Sequence, residues 1–191
     1  MKIAIYSGSF NPVHNGHVQL SKYLVDNNLV DEVWFIVSPC NPLKHQKDLI
    51  DERLRLEMLK LAIKSFPSFK ASDIEFSMPI PSYSIDTLHK LSKLYPGHEF
   101  SLIIGSDNAL VFDKWKNFKQ LLSEYKVLVY PRKDFDFSEV REKYPQMKLL
   151  DTPYYDISST QIRMDISRQK EVLNWIHPDV NRFINEHNLY R

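Results

Sequence analysis

"KIAIYSGSFNPVHNGHVQLSKYLVDNN", residues 2–28, decides how this chain is read. Ile3 to Tyr6 form a short apolar run closed by small residues, the pattern of a strand buried on both faces. From Gly16 onward, apolar residues at Val18, Leu20, Tyr23 and Leu24 mark one side of an amphipathic helix. The strand ends near Ser7, and two of the chain's four glycines, Gly8 and Gly16, fall at the crossing from strand to helix. In an open parallel sheet, ligands bind where strands end and helices begin. Gly8 lets a ligand approach the backbone with no side chain between. Gly16 sits at the mouth of the helix, whose free N–H groups and dipole favour a phosphate. His14 and His17 flank Gly16, and at this spacing both imidazoles can face one volume and donate to phosphoryl oxygens.

The rest of the chain repeats the alternation. "DEVWFIVSP" (31–39), "FKASDIEF" (69–76), "EFSLIIGS" (99–106), "YKVLVYPR" (125–132) and "MKLLDTP" (147–153) read as strands. "DERLRLEMLKLAIKSF" (51–66) reads as a helix capped by Asp51, with Leu54, Met58, Leu61 and Ala62 on one face. "SYSIDTLHKLSKLY" (82–95), "SSTQIRMDISRQ" (158–169) and "PDVNRFINEHN" (178–188) are the remaining helices, the last with Pro178 in its first turn. The charged stretch "KDLIDERLR" (47–55) reads as a solvated helix face, and "KDFDFSEVREKYPQ" (133–146) as a polar peripheral segment. Continuous apolar strands alternating with helices predict an α/β fold: a Rossmann-like, doubly wound parallel sheet with helices on both faces. No repeat or linker divides the chain, so a single domain over 1–191 is expected, with a helical portion over about 158–191 packed on it.

Composition narrows the function. A length of 191 residues, 43% hydrophobic and 26% charged, is ordinary for a globular domain. The formal charge of +1 argues against a nucleic-acid tail or a polybasic membrane patch. The single cysteine, Cys40, excludes an intrachain disulfide and a thiol-rich metal site. The apolar start is too short for a signal-peptide core, and no apolar run approaches a membrane span, so a cytoplasmic location is expected.

The segment from Gly8 to His17 is neither a Walker loop nor a G-x-G-x-x-G fingerprint. On the residues alone, His14 and His17 can be phosphate donors, helix-cap or core histidines, or, with His45, metal ligands. A second element, "ISSTQIR" (157–163), sets Ser158, Ser159 and Thr160 before a helical pattern, with Arg163 one turn on. These residues can cap the helix or donate to a phosphate. The form G-S-F-x-P-x-H-x-G-H closely resembles the signature of the H-x-G-H nucleotidyltransferase superfamily, and "ISSTQIR" resembles its I-S-[ST]-T-x-I-R element. In that superfamily an attacking phosphate displaces pyrophosphate from a nucleoside triphosphate. Such chemistry asks the protein for alignment and charge stabilisation. The attacking phosphate is already a nucleophile, so no serine, cysteine or strong base is required.

The middle of the chain narrows the resemblance. "NPLKHQ" (41–46) supplies Lys44 and His45, a solvated loop or a source of charge for a triphosphate. "PSYSIDTL" (81–88) places Ser82, Tyr83, Ser84 and Thr87 at a helix start, and "LIIGSDNALVFDKW" (102–115) supplies Gly105, Asp107 and Trp115. With "RLEMLKLAI" (55–63) and the terminal "NLYR", these stretches look like bacterial nicotinate-nucleotide adenylyltransferases over residues 3–191. The departures are Ser84 for threonine, Leu43–Lys44 for two prolines, and Ser7 for a glycine.

The resemblance implies transfer of the adenylyl group of ATP to nicotinate mononucleotide, giving nicotinate adenine dinucleotide and pyrophosphate, with Mg²⁺ on the triphosphate. It implies His14, His17 and Arg163 as catalytic residues. Gly8, Ser9, Phe10, Gly16, Lys44, His45, Gly105, Asp107, Ser158, Ser159 and Thr160 go to ATP, Asp107 on the adenosine side. Ser82, Tyr83, Ser84, Thr87, Trp115 and Arg132 go to the nicotinate nucleotide, Trp115 stacking on the pyridine ring and Arg132 assisting the phosphates. Free N–H groups between Tyr83 and Thr87 suit the ring carboxylate, because an anion gains more from a helix N-terminus than a carboxamide does. The plain alternatives are an N-cap role for Asp107, a core tryptophan and a loop arginine. No nucleic-acid or membrane partner is expected, and a homo-oligomer is left open. Rival readings are a nicotinamide-preferring enzyme and a non-catalytic nucleotide sensor. Pantetheine-phosphate adenylyltransferases are shorter and lack the "PSYSIDTL" and "DKW" elements.

Overall fold

The computed structural model describes residues 1–40 and 49–191. Six strands, β1 (Lys2–Gly8), β2 (Glu32–Val37), β3 (Phe69–Ser72), β4 (Glu99–Gly105), β5 (Lys126–Tyr130) and β6 (Lys148–Leu149), form one sheet in the order β3-β2-β1-β4-β5-β6. Every pairing is parallel. This is the doubly wound order, in which connections run one way from β1 and the other way from β4. The crevice at the carboxyl ends of β1 and β4 is therefore where a ligand is expected. Gly8 ends one of these strands and Gly105 the other.

Strand alternation sends side chains to two cores. Ala4, Tyr6, Val33, Phe35 and Ile103 face one side, against α1 (Asn15–Asp26), α2 (Glu52–Ile63), α7 (Ser159–Ser167) and α8 (Pro178–Glu186). Ile3, Ile5, Trp34, Ile36, Leu102 and Ile104 face the other, against α3 (Ser84–Leu94), α4 (Ser106–Leu110), α5 (Phe118–Glu124) and α6 (Phe137–Lys143). The C-terminal helices thus share the core of the N-terminal half, through Ile162, Ile166, Val180 and Ile184. No helix among the described residues is long and apolar enough to cross a membrane.

Four differences from the sequence reading have physical reasons. The third strand stops at Ser72, and Ile74–Ser77 close into a 3₁₀ turn. Turning there carries Glu75 inward, to 3% exposure. Short helices α4, α5 and α6 arise where no element was expected, each anchoring through single apolar residues such as Ala109, Leu121 and Val140. The strand expected over 147–153 is reduced to β6, two residues at the sheet edge. Lastly, α2 buries Arg55, Leu56, Met58, Leu59, Ala62 and Ile63, while Leu54 and Leu61 are half-buried. Arg55, read as part of a solvated face, is 0% exposed. Asp51 caps the helix as expected, accepting a hydrogen bond from the Arg53 N–H at 2.8 Å.

Candidate active site

The first loop brings the two histidines together. His14 is the N-cap of α1, and its ring stacks on His17 with centroids 3.6 Å apart. The His14 backbone N–H donates to His17 Nδ1 at 3.1 Å. A ring nitrogen that accepts carries no proton, so neutral His17 holds its hydrogen on Nε2. The His17 ring meets Tyr6 and Phe10 edge-on, at 5.7 and 5.1 Å. His14 is 6% exposed, and its Nδ1 has no hydrogen-bond partner among the described residues. Burial, aided by the charge of Arg132, lowers the His14 pKa to about 3. Burial, His14 and Arg132 push His17 the same way. At neutral pH both rings are therefore uncharged, offering directed donors and not cationic charge.

The glycines explain the packing. A Cβ on Gly16 would stand 3.1 Å from His14 Nδ1, so the glycine makes room for the imidazole. A Cβ on Gly105 would collide with an Asp107 carboxylate oxygen and lie 2.8 Å from Arg132 Cγ. Both side chains fold over that glycine, and Asp107 and Arg132 approach each other to 4.0 Å. The Arg132 backbone N–H is held by Ser106 Oγ at 2.9 Å.

From the other end of the chain, α7 reaches the same loop. Arg163 Nη1 donates to the Asn11 carbonyl at 2.9 Å, and Ser159 Oγ donates to the Pro12 carbonyl at 2.9 Å. The hydroxyl of Tyr190 donates to Asn11 Oδ1 at 2.8 Å. Arg163 therefore stands on the His14 side of the molecule. Ser158 and Thr160 line a separate hollow of about 350 Å³ beside Trp175. Ser158 is the N-cap of α7 without using its side chain. Phe10 is 2% exposed, its ring packed edge-on against Tyr6, His17 and Phe35, so its side chain serves as support for the loop. Lys44 and His45 lie outside the described residues.

Next to this corner, at the ends of β1 and β4, is a cavity of about 360 Å³. Gly8, Gly105, Ser82, Tyr83, Ser84 and Trp115 are among the residues that line it. Here α3 begins after its N-cap Tyr83 with no side-chain cap; the Tyr83 carbonyl accepts the Asp86 and Thr87 N–H groups at 3.0 and 3.1 Å, and no capping side chain takes those of Ser84 and Ile85. The hydroxyls of Ser82 and Thr87 are already committed. Ser82 Oγ donates to Glu75 at 2.5 Å, and Thr87 Oγ1 donates to the other carboxylate oxygen at 2.8 Å. Thr87 is fully buried behind the wall, so at this helix start the donors that face the cavity are backbone N–H groups and the Ser84 hydroxyl, with Lys114 and Lys116 also on the lining. Trp115 tilts against Phe112 at 4.9 Å, and its indole N–H is buried without a partner among the described residues. Lys116 ties the two walls, pairing with Asp86 at 2.7 Å and standing 4.8 Å over the Tyr83 ring.

Four contributors escaped the sequence reading. Glu75 left no pattern in "DIEF". Tyr6 and Tyr130, whose hydroxyls meet at 3.2 Å beneath the cavity, look like ordinary strand residues. Arg55 did leave one: with Met58, Leu59 and Ala62 it keeps the i, i+3, i+4, i+7 spacing of the buried face.

Comparison with known proteins fits this geometry. A model of the cytidylyltransferase-like family matches residues 5–165. The chain belongs to that family. A protein of Bacteroides fragilis named "Probable nicotinate-nucleotide adenylyltransferase" is 46% identical over 96% of this cytidylyltransferase-like chain and 90% of its own length. One of the same name from Flavobacterium johnsoniae is 39% identical, with all of both chains covered. The solved nicotinic acid mononucleotide adenylyltransferase of Plasmodium falciparum, complexed with NaAD, has the same fold. Its TM-score is 0.85 at 23% identity, with 99% of this chain and 97% of that one covered.

Proposed function

We propose that this chain joins ATP and nicotinate mononucleotide into nicotinate adenine dinucleotide, releasing pyrophosphate, as one nucleotidyltransferase domain over residues 1–191. The observation that carries the reading is the meeting of Arg163 and Ser159 with the loop that bears His14 and His17, beside a cavity with an uncapped helix start. The names of the relatives supply the substrates. His14 and His17 serve as neutral donors to the triphosphate, and Arg163 and Arg132 supply the fixed positive charge. Preorganised donors of this kind stabilise charge that develops in the transition state without reorganising. Mg²⁺ belongs to the ATP substrate and adds charge neutralisation on its oxygens.

On the acceptor side, Trp115 offers a face to the pyridine ring, and the N–H groups at Tyr83 to Ile85 receive its carboxylate. The hydroxyls of Ser82 and Thr87 support that wall through Glu75. Pyrophosphate release, measured with ATP plus nicotinate mononucleotide and then with nicotinamide mononucleotide, tests the reading. Turnover is expected with the first, and much less with the second. A protein that binds ATP yet releases no pyrophosphate with either would be a sensor, and preference for nicotinamide would remove the assigned carboxylate role.

A further inference from the structure

Arg55 closes the first turn of α2, is wholly buried, and lines neither cavity. Its guanidinium is satisfied by carbonyls. Nε donates to Ile50 at 2.9 Å, Nη1 to Ser9 at 2.6 Å and to Ser38 at 2.8 Å, and Nη2 to Pro39 at 3.3 Å. Among the described residues no carboxylate forms an ion pair with it. Ser9 opens the loop that leads to His14. Ser38 and Pro39 follow β2 and lead to Lys44 and His45. One planar group thus holds two loops that leave neighbouring strands, and the pair is also tied directly, by the Ser38 N–H on the Gly8 carbonyl at 2.9 Å.

The 9–12 segment is held at three of its four carbonyls by separate donors: Arg55 on Ser9, Arg163 on Asn11, Ser159 on Pro12. Of these, Arg55 is the one sealed from solvent. A buried charge is a poor stabiliser, since an apolar residue of similar volume is often as good or better. The fork of a guanidinium, by contrast, fixes several acceptors at once, which a point charge on a flexible stem does not.

Resting on the adenylyl-transfer reading, we propose that Arg55 is a positioning residue for ATP: it sets the loop that carries His14 and His17 against the exit of β2 without touching substrate. Arg55 reaches the cavity only at its Gly8–Ser38 edge, through the Ser38 carbonyl, and has no bond to the acceptor wall at Tyr83 and Trp115, so the acceptor should feel the loss much less than ATP does.

The test compares Arg55→Met, Arg55→Lys and, as a control on the same helix, Met58→Ala, which empties a fully buried site. Thermal melts establish folding, calorimetry gives ATP affinity, and pyrophosphate release gives KM for each substrate. Arg55→Met should raise the ATP KM and Kd by roughly tenfold while the acceptor KM stays within about twofold. Arg55→Lys should recover part of the loss, and Met58→Ala should lower the melting temperature without separating the two KM values. Equal rises in both KM values, no rise in either, or failure of both Arg55 variants to fold while Met58→Ala folds would overturn the proposal. A wild-type chain that binds ATP without turnover on nicotinate mononucleotide would sink the functional reading instead, and the ATP affinities of the variants would still judge Arg55.

Discussion

The two halves of the site are built by opposite means. At the nucleotide corner, bonds join residues far apart in sequence: Asn11 to Arg163 across 152 positions, Pro12 to Ser159 across 147, Asn11 to Tyr190 across 179. At the acceptor wall the bonds span far less of the chain: Glu75 to Ser82 across 7 positions and to Thr87 across 12, and Asp86 to Lys116 across 30. The corner exists only when the chain's two ends have come together, so its geometry is fixed by the whole fold. That suits charge stabilisation, which depends on donors already in place. The wall is built from two short stretches, the turn, loop and helix start around Glu75 and the Trp115–Lys116 segment, with no bond between them and Arg163 or Ser159. In the proposed reaction, the chemistry at the triphosphate belongs to the first region and the choice of acceptor to the second.

The sharpest way to break this contrast is at His17. Its Nδ1 is held by the backbone, leaving Nε2–H as the donor. His17→Ala should lower kcat by about 30- to 1,000-fold, matching about 2 to 4 kcal/mol for a lost transition-state donor. The fold, read by circular dichroism, and the acceptor KM should stay near wild type. Turnover close to normal would remove His17 from the mechanism and leave the corner as scaffolding.

A second test uses the protonation of the corner. With His14 lowered to about 3 by burial first and Arg132 second, the unfolded chain takes up a proton near pH 6.5 that the folded one refuses. Stability from this group is complete above pH 6.5 and is lost as pH falls from there toward 3. The limiting slope is about 1.4 kcal/mol per pH unit. His14→Asn should flatten the fall measured by urea unfolding between pH 6.5 and 4.5, by about 1 kcal/mol per pH unit. Parallel curves for both proteins would mean that His14 is solvated and charges freely, which contradicts a buried neutral donor.

Legibility in the sequence followed the same division. Continuous apolar strands such as "FSLII" declared the parallel sheet, because a strand covered on both faces needs no polar alternation. The motif histidines and Arg163 were visible by type and spacing, and the long bonds that unite them were anticipated only through the resemblance. What stayed hidden was hydrogen-bond traffic. Nothing in "PSYSIDTL" says that the Ser82 and Thr87 protons are turned inward to a carboxylate in the preceding turn. Arg55 looks solvated by its charge, yet its spacing with Met58, Leu59 and Ala62 places it on the buried face. Helices α4 to α6 escaped because five to seven residues, each with little more than one anchor, give no stable periodicity.

The smallest expected effect probes the wall. Trp115 is half-buried, lines the cavity and packs on one side against Phe112, which leaves the rest of its indole as the surface a ring can meet. An aromatic pair adds about 0.5 to 1.5 kcal/mol beyond area burial. Trp115→Ala should therefore weaken nicotinate mononucleotide by roughly threefold to tenfold in a binding titration, and Trp115→Phe by less, because a smaller ring keeps part of the stack. ATP affinity should hold within about twofold, since no bond of the corner runs through Trp115. Its loss also frees Phe112, at 0% exposure, to relax into the cavity, so thermal stability will fall even where stacking plays no part. The decisive quantity is the ratio of the two affinities, which a general loosening would leave unchanged. If ATP and acceptor weaken together, the wall and the corner are one mechanical unit, and the division of labour between local and long-range bonds does not hold.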